Sequence, residues 1–270
     1  MARPRPRLPP LTMTFCIRHY RHGANQRQAL MAWHTDGVTN PAQLSPLLAG
    51  LFSPGAAVAV LREPADPGLL LPAEAVPMGR AVPKRLQEYT AGRLCARRAL
   101  AEFGVLDFPI RAAEDRQPIW PDSLAGSITH TEGFCAAVVA ERRGIRALGL
   151  DSEVAGGVNV EIWHRICRPS ELAWIHSLPE TERAAAVTLI FCAKEAFYKC
   201  QYALVRERLG FHDVSMETAA WEASGASGGE FRIHPARALA IVAHAAVPLQ
   251  GRYLFHEGFV TAGMETAAAE

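Results

Sequence analysis

The chain has 270 residues, 49% of them hydrophobic, and its 28 Lys and Arg against 27 Asp and Glu leave a net charge of +1. That is enough apolar material for one large domain or two of roughly 100–150 residues, and the even balance excludes a global field for nucleic acid or membrane, so any anion site must be local. Six cysteines without a C-x-x-C pair, no signal peptide and no apolar span long enough for a membrane helix predict a reduced, cytoplasmic, soluble protein.

In chain order, residues 1–14 are rich in Pro and Arg without periodicity and are expected to be a disordered leader, with order starting near Phe15. The run "AAVAVL" at 56–61, bounded by turn formers, predicts a buried strand. From Pro83 to Gly104 the pattern is helical, with Leu86, Tyr89, Ala96, Leu100 and Phe103 on one face. "FCAAVVAE" and "RALGLDSE" predict two strands joined by the turn "RRG" at 142–144. A looser segment with Trp163 and Trp174 follows, then a long helix from Glu180 to Leu209 with a cap offered by Ser177-x-x-Glu180. "FRIHP", "ALAIVAHAAV" and "GRYLFHEGFV" read as strands, the Gly/Ser stretch 224–229 as a surface loop, and 263–270 as a frayed tail. Two strand-then-helix halves make this an α+β protein, divided into 15–146 and 147–262.

Within this frame a few polar residues stand out. In "LGLDSE" Asp151 and Glu153 are two apart on a strand and so point to one side, which suits a hard cation such as Mg²⁺ or else the start of a solvated loop. "GSITH" at 126–130 is a small polar turn whose amides and His130 could hold a phosphate, or an ordinary capped loop. Residues 80–98 carry Arg80, Lys84, Arg85, Arg93, Arg97 and Arg98 against Glu88. Arg93 falls inside the apolar stripe, where an unpaired guanidinium is costly; a phosphate or a buried Asp or Glu would satisfy it. In "FCAKEAFYKC" at 191–200, Glu195 and Lys199 are helical neighbours, either a solvated pair or part of a site. Other chemistries lack support. "GASGG" at 225–229 has the form of a nucleophile elbow but no following helix, no Gly-rich nucleotide loop is present, and the ten histidines show no zinc spacing.

The series "RLQEYTAGRLCARR" (85–98), "RQPIWP" (116–121), "GSITHTEG" (126–133), "GLDSE" (149–153) and "FCAKEAFYK" (191–199) resembles the 4′-phosphopantetheinyl transferases, and more narrowly the subgroup associated with enterobactin synthase. The resemblance covers residues 80–200 and rests on G-x-D-x-E combined with K-E-A-x-x-K. It implies two similar subdomains related by a pseudo-two-fold, with coenzyme A between them. It further implies that Asp151, Glu153 and Glu195 bind Mg²⁺ with the pyrophosphate, and that Lys194 and Lys199 face phosphate. Ser127, Thr129 and His130 would hold coenzyme A phosphate, and Arg85, Arg93 and Arg116 the 3′-phosphate and adenine end. Two positions depart from the family pattern: Ser152 stands where the middle residue is usually apolar, and Thr129-His130 replaces Ser-His.

The reaction so implied moves phosphopantetheine from coenzyme A to a serine of an apo acyl or peptidyl carrier protein, in siderophore or other secondary metabolism, by a monomeric enzyme acting on neither nucleic acid nor membrane. Serine attack on the β-phosphorus concentrates charge on the pyrophosphate. Mg²⁺ held by Asp151 and its neighbours, together with Lys199, would stabilise the leaving 3′,5′-ADP, and Glu195 would take the proton directly or through water. The competing reading is a coenzyme A- or phosphate-binding protein that has lost transfer.

Overall fold

The computed structural model describes residues 41–62, 64–75, 81–218, 221, 228–244 and 248–267. The leader, Arg80 and most of the Gly/Ser stretch lie outside the described residues. Helix α1 (Pro41–Ala49) precedes β1 (Ala57–Leu61), the short α2 (Pro72–Ala75) and the long α3 (Pro83–Ala101). Pro83 occupies the first turn of α3, where its missing N–H costs nothing. Strands β2 (Leu124–Thr131) and β3 (Phe134–Glu141) then pair with β1 in an antiparallel sheet of order β1-β3-β2. "GSITH" is thus not a turn before a strand but the body of β2, because its alternate residues pair along β3, Gly126 with Val139 and His130 with Cys135.

After the turn at 142–144 the chain enters a second antiparallel sheet through β4 (Ile145–Val154). Its other strands are β5 (Val214–Thr218), β6 (Gly228–Pro235), β7 (Gln250–His256) and β8 (Phe259–Ala267), in the order β4-β8-β7-β6-β5. Between β4 and β5 come α4 (Trp163–Ile166), α5 (Pro169–Ser177) and α6 (Glu180–Val205). The architecture is α+β, each half an antiparallel sheet backed by one long helix.

Strand β3 is buried over most of its length, and its alternation shows how the layers stack. Cys135, Ala137 and Val139 pack on Ala91, Cys95, Ala96 and Leu100 of α3. Ala136, Val138 and Ala140 join Leu44 and Leu48 of α1 and Leu148 and Leu150 of β4 in a core between the two sheets. The far face of the larger sheet packs Ala147, Phe231, Tyr253, Val260 and Met264 on α6. Helix α6 is buried around nearly its whole circumference from Ala185 to Tyr198, so it is a core element with no solvated face there.

Four expectations are corrected. Ser177 does not cap α6: its hydroxyl donates to the Trp174 carbonyl at 2.6 Å, and extended Pro179 stands at the cap. The helix stops at Val205 rather than Leu209, because Arg206 turns into the left-handed region at φ 55°. In "ALAIVAHAAV", residues Ala240–Ala243 form a 3-10 turn that buries Leu239 and Ile241 in the core of the second half; a short apolar run does not distinguish strand from buried turn. Residues 263–267, expected to fray, continue β8, with Gly263 opposite Leu150 and Ala267 opposite Ile145.

Candidate active site

The site lies where β2, an edge of the first sheet, meets β4, an edge of the second. An exposed strand edge leaves amides and carbonyls unpaired, and here side chains complete them. Ser127 Oγ accepts from the Leu150 amide at 3.0 Å and Thr129 Oγ1 from the Ser152 amide at 2.9 Å. Lys199 Nζ donates to the Leu150 carbonyl at 2.8 Å and the Ile128 carbonyl at 3.2 Å, one from each sheet. The same ammonium meets Asp151 Oδ1 at 2.7 Å. Lys199 therefore pairs with the strand carboxylate and stitches the seam, and the solvated Glu195–Lys199 pair does not form.

Two glycines of the motifs make this approach possible. A Cβ on Gly149 would stand 1.8 Å from the Ala196 carbonyl oxygen, so only glycine lets β4 lie against α6 at the turn that carries Glu195. A Cβ on Gly126 would stand 2.6 Å from the indole of Trp120, which ties the W-P element to the start of β2. Asp151 and Glu153 share the parity of Gly149 along β4 and so face α6, as the spacing of two requires.

Asp151 and Glu195 are 5% and 1% exposed. Burial first, and then the charges of Asp151 and Glu153, hold the Glu195 carboxyl well above the usual carboxylate range. Burial also raises Asp151, although the Lys199 ammonium works against it. The Cys192 thiol, one turn before Glu195, is pushed well up by burial and then by Asp151 and Glu153. Three carboxylates thus gather in a poorly solvated place. Asp151 Oδ2 and Glu195 Oε1 are buried without a hydrogen-bond partner among the described residues. No group of three His, Cys, Asp or Glu side chains among the described residues is already drawn together tightly enough to hold a metal ion. The orphaned oxygens and the all-carboxylate donor set nonetheless fit a hard divalent cation, which would supply the missing positive charge.

Across the seam, Arg85 Nη1 stands 2.9 Å from His130 Nε2 and 3.6 Å from Glu88. A guanidinium can only donate, so Nε2 accepts and the imidazole is neutral with its proton on Nδ1. Its pKa is accordingly pushed down to about 4, by burial first and then by Arg85. Arg93 is buried: its Nε donates to the Ile110 carbonyl at 3.0 Å and its guanidinium lies 3.9 Å from the Tyr89 ring centre. Glu74, which ion-pairs with Arg97, supplies negative charge nearby. These contacts engage Nε and one face of the guanidinium, while Glu74 itself pairs with Arg97, so the anion expected for Arg93 is only partly supplied within the protein. Arg116 sits in the exposed loop before β2 in a left-handed conformation, φ 71°, and is not drawn into the Arg85–His130 pair.

Lys194 is placed quite differently from Lys199. It is fully buried on the other side of α6, where Nζ donates to Glu171 Oε2 at 2.7 Å and to the carbonyls of Ile166 at 2.9 Å and Phe211 at 3.0 Å. It is fully buried among partners from α4, α5 and the turn before β5, whereas the Lys199 side chain stays 21% exposed, so Lys194 does not face the seam. Ser127 and Thr129 accept from β4 amides, which leaves their O–H groups free to donate, and that of Thr129 reaches Asp151 Oδ1 at 3.4 Å. The sequence reading missed Glu171 and also Thr131, whose Oγ1 donates to Glu153 Oε2 at 2.7 Å; the period-two row Ser127, Thr129, Thr131 was the available signal for the latter.

Two family models match the chain: the 4′-phosphopantetheinyl transferase N-terminal domain over residues 72–140 and the 4′-phosphopantetheinyl transferase superfamily over 147–246. The 4′-phosphopantetheinyl transferase PptT of Mycobacterium tuberculosis is 40% identical over 157 residues, covering 56% of this chain and 68% of that protein. The 4′-phosphopantetheinyl transferase Npt of Nocardia iowensis is 35% identical over 158 residues, 58% of this chain and 70% of the relative. Enterobactin synthase component D of Salmonella typhi is 38% identical over 120 residues, 43% of this chain and about half of the relative, at 48%. The strand-borne G-x-D-x-E, the buried helix-borne glutamate and these matches agree, and the chain belongs to the 4′-phosphopantetheinyl transferase superfamily as a transferase of that kind.

Proposed function

We propose that the chain transfers 4′-phosphopantetheine from coenzyme A to a serine of an apo carrier protein with Mg²⁺ held at the seam, releasing 3′,5′-ADP. The observation that carries this reading is the pair of orphaned buried oxygens, Asp151 Oδ2 and Glu195 Oε1, beside the Lys199 ammonium at the junction of two sheets. Gln201 Oε1, His256 Nδ1 and Thr266 Oγ1 are also buried without a hydrogen-bond partner among the described residues, but the two orphans at the seam belong to carboxylates, the donor type that suits a cation. Asp151, Glu195 and Glu153 are the side chains that would hold the cation, which when bound neutralises pyrophosphate charge and stabilises the leaving group.

The protein's own groups supply the rest. Lys199 adds a fixed positive charge where charge develops on the pyrophosphate. Arg85 and the Nδ1–H of His130 bind the phosphate end of the cofactor, while Arg93 acts from behind by supporting α3. The serine proton passes to Glu195, directly or through a water. The enterobactin component among the relatives supports a carrier of siderophore type. No helix among the described residues is long and apolar enough to cross a membrane.

The test is intact mass of an apo peptidyl carrier protein after incubation with enzyme, coenzyme A and Mg²⁺, followed in parallel as release of 3′,5′-ADP. A phosphopantetheine adduct that disappears with a chelator and with Asp151→Ala is expected. Bound coenzyme A without any adduct on a panel of carriers would overturn transfer in favour of a binding protein, a reading that the matches to named transferases do not support.

A further inference from the structure

Ser127, Thr129 and Thr131 form one period-two row on β2, all reaching β4, yet they do different things. The first two accept from backbone amides, at 3.0 and 2.9 Å, and so complete the edge of a strand, and Thr129 also donates a longer bond to Asp151 Oδ1 at 3.4 Å. Thr131, the last residue of β2, makes the short bond of the row, donating to Glu153 Oε2 at 2.7 Å. The distance is that of a charge-assisted O–H···O⁻ bond. It crosses the seam, from the first sheet to a carboxylate of the second, and Thr131 is only half buried, so the contact sits at the rim of the site.

We propose that Thr131 is a positioning residue: its hydroxyl holds one oxygen of Glu153 and thereby aims the other into the cluster with Asp151 and Glu195. The assignment rests on the reading of Glu153 as a carboxylate for the cation. The physical reason for such a device is local. Glu153 lies one residue from the end of β4, where the strand gives over to the turn at Gly156 and the backbone alone fixes a long side chain poorly. Asp151 is aimed by Lys199, and Glu195 is fixed by burial in the middle of α6. On Glu153, Thr131 adds a constraint that comes from the opposite sheet. Because the hydroxyl belongs to the opposite sheet, the bond also makes the carboxylate geometry depend on how the two halves are set against each other. Outer partners of this kind typically change metal affinity by about 10–100-fold when removed.

The variant Thr131→Val keeps the shape and β-branching and removes only the donor. Binding of Mn²⁺ to the full chain in the presence of coenzyme A, read by the electron paramagnetic resonance of the free ion, should weaken by about 10-fold. Thr131→Ser, which keeps the hydroxyl, should bind nearly as the parent. In the double variant Thr131→Val with Glu153→Gln, the loss should equal that of Glu153→Gln alone, because Thr131 acts only through that carboxylate. Unchanged Mn²⁺ affinity in Thr131→Val beside a weakened Glu153→Gln would overturn the positioning role and leave the metal reading standing. Unchanged affinity in Glu153→Gln would overturn both. Equal losses in the Ser and Val variants, or additive losses in the double variant, would show that Thr131 matters through packing and would also sink the proposal.

Discussion

The two sides of helix α6 both bury charge, and they do it in opposite ways. On one side Lys194 meets Glu171, and every atom is answered: Nζ has three acceptors, while Glu171 also accepts from the Arg168 amide at 2.7 Å and the Met216 amide at 2.7 Å. On the other side Glu195, Asp151 and Lys199 form a cluster in which two carboxylate oxygens have no partner among the described residues. A buried pair that is fully satisfied is a structural pin, clamping α5, α6 and β5 together. A buried cluster left unsatisfied has room for a cationic ligand, and that is where we place the chemistry. Sequence neighbours Lys194 and Glu195 therefore serve different ends because about 100° of helical rotation separates them.

The sharpest way to break this comparison is at the pin. Lys194→Met should cost about 3–5 kcal/mol of stability by leaving Glu171 buried and uncompensated, measured by thermal or denaturant unfolding. A variant that melts normally but no longer binds coenzyme A would place Lys194 in the site after all. Next is the contact that brings the cluster together. Gly149→Ala pushes a methyl into the Ala196 carbonyl and should cost about 3 kcal/mol or more, and activity should fall further than the remaining folded fraction explains.

On the reactive side, Glu195→Gln should slow 3′,5′-ADP release about 10²-fold, equivalent to about 2.7 kcal/mol, with the melt unchanged or raised because it removes repulsion with Asp151. A drop in stability with normal turnover would reverse the two roles assigned to the faces of α6. The smallest effect concerns pH. His130 and His256 are held down to about 4, each by burial first, so below pH 6.5 the unfolded chain takes up protons that the folded protein refuses, and stability falls as pH falls toward 4. Glu195 acts with the opposite sign. Its folded pKa is raised, so the stability it contributes is present below the ordinary glutamate pKa and is lost as pH rises through the raised value. Unfolding followed from pH 4 to 9 in the absence of ligand should therefore give a maximum, and Glu195→Gln should flatten the alkaline limb alone. An unaltered alkaline slope would show that Glu195 is not the group responsible.

Much of this was legible in the residues themselves. Period-two spacing placed Asp151 and Glu153 on one face of a strand, period-3.6 spacing marked α3, and the motif series identified the family, because each is a property of a single element or of residue order. The same local rules misread "GSITH" as a turn and "ALAIVAHAAV" as a strand, since small polar residues can pair along β3 and a short apolar run can wind as readily as extend. Which faces would meet was beyond them. That Lys199 turns to Asp151 and two sheet edges, that Lys194 turns to Glu171, that Arg93 finds Ile110 and Tyr89, and that Thr131 reaches Glu153 were decided only by tertiary packing. Periodicity fixes the direction of a side chain relative to its own backbone, whereas its partner depends on how closely two elements approach, and at the decisive point that distance was set by the missing Cβ of Gly149.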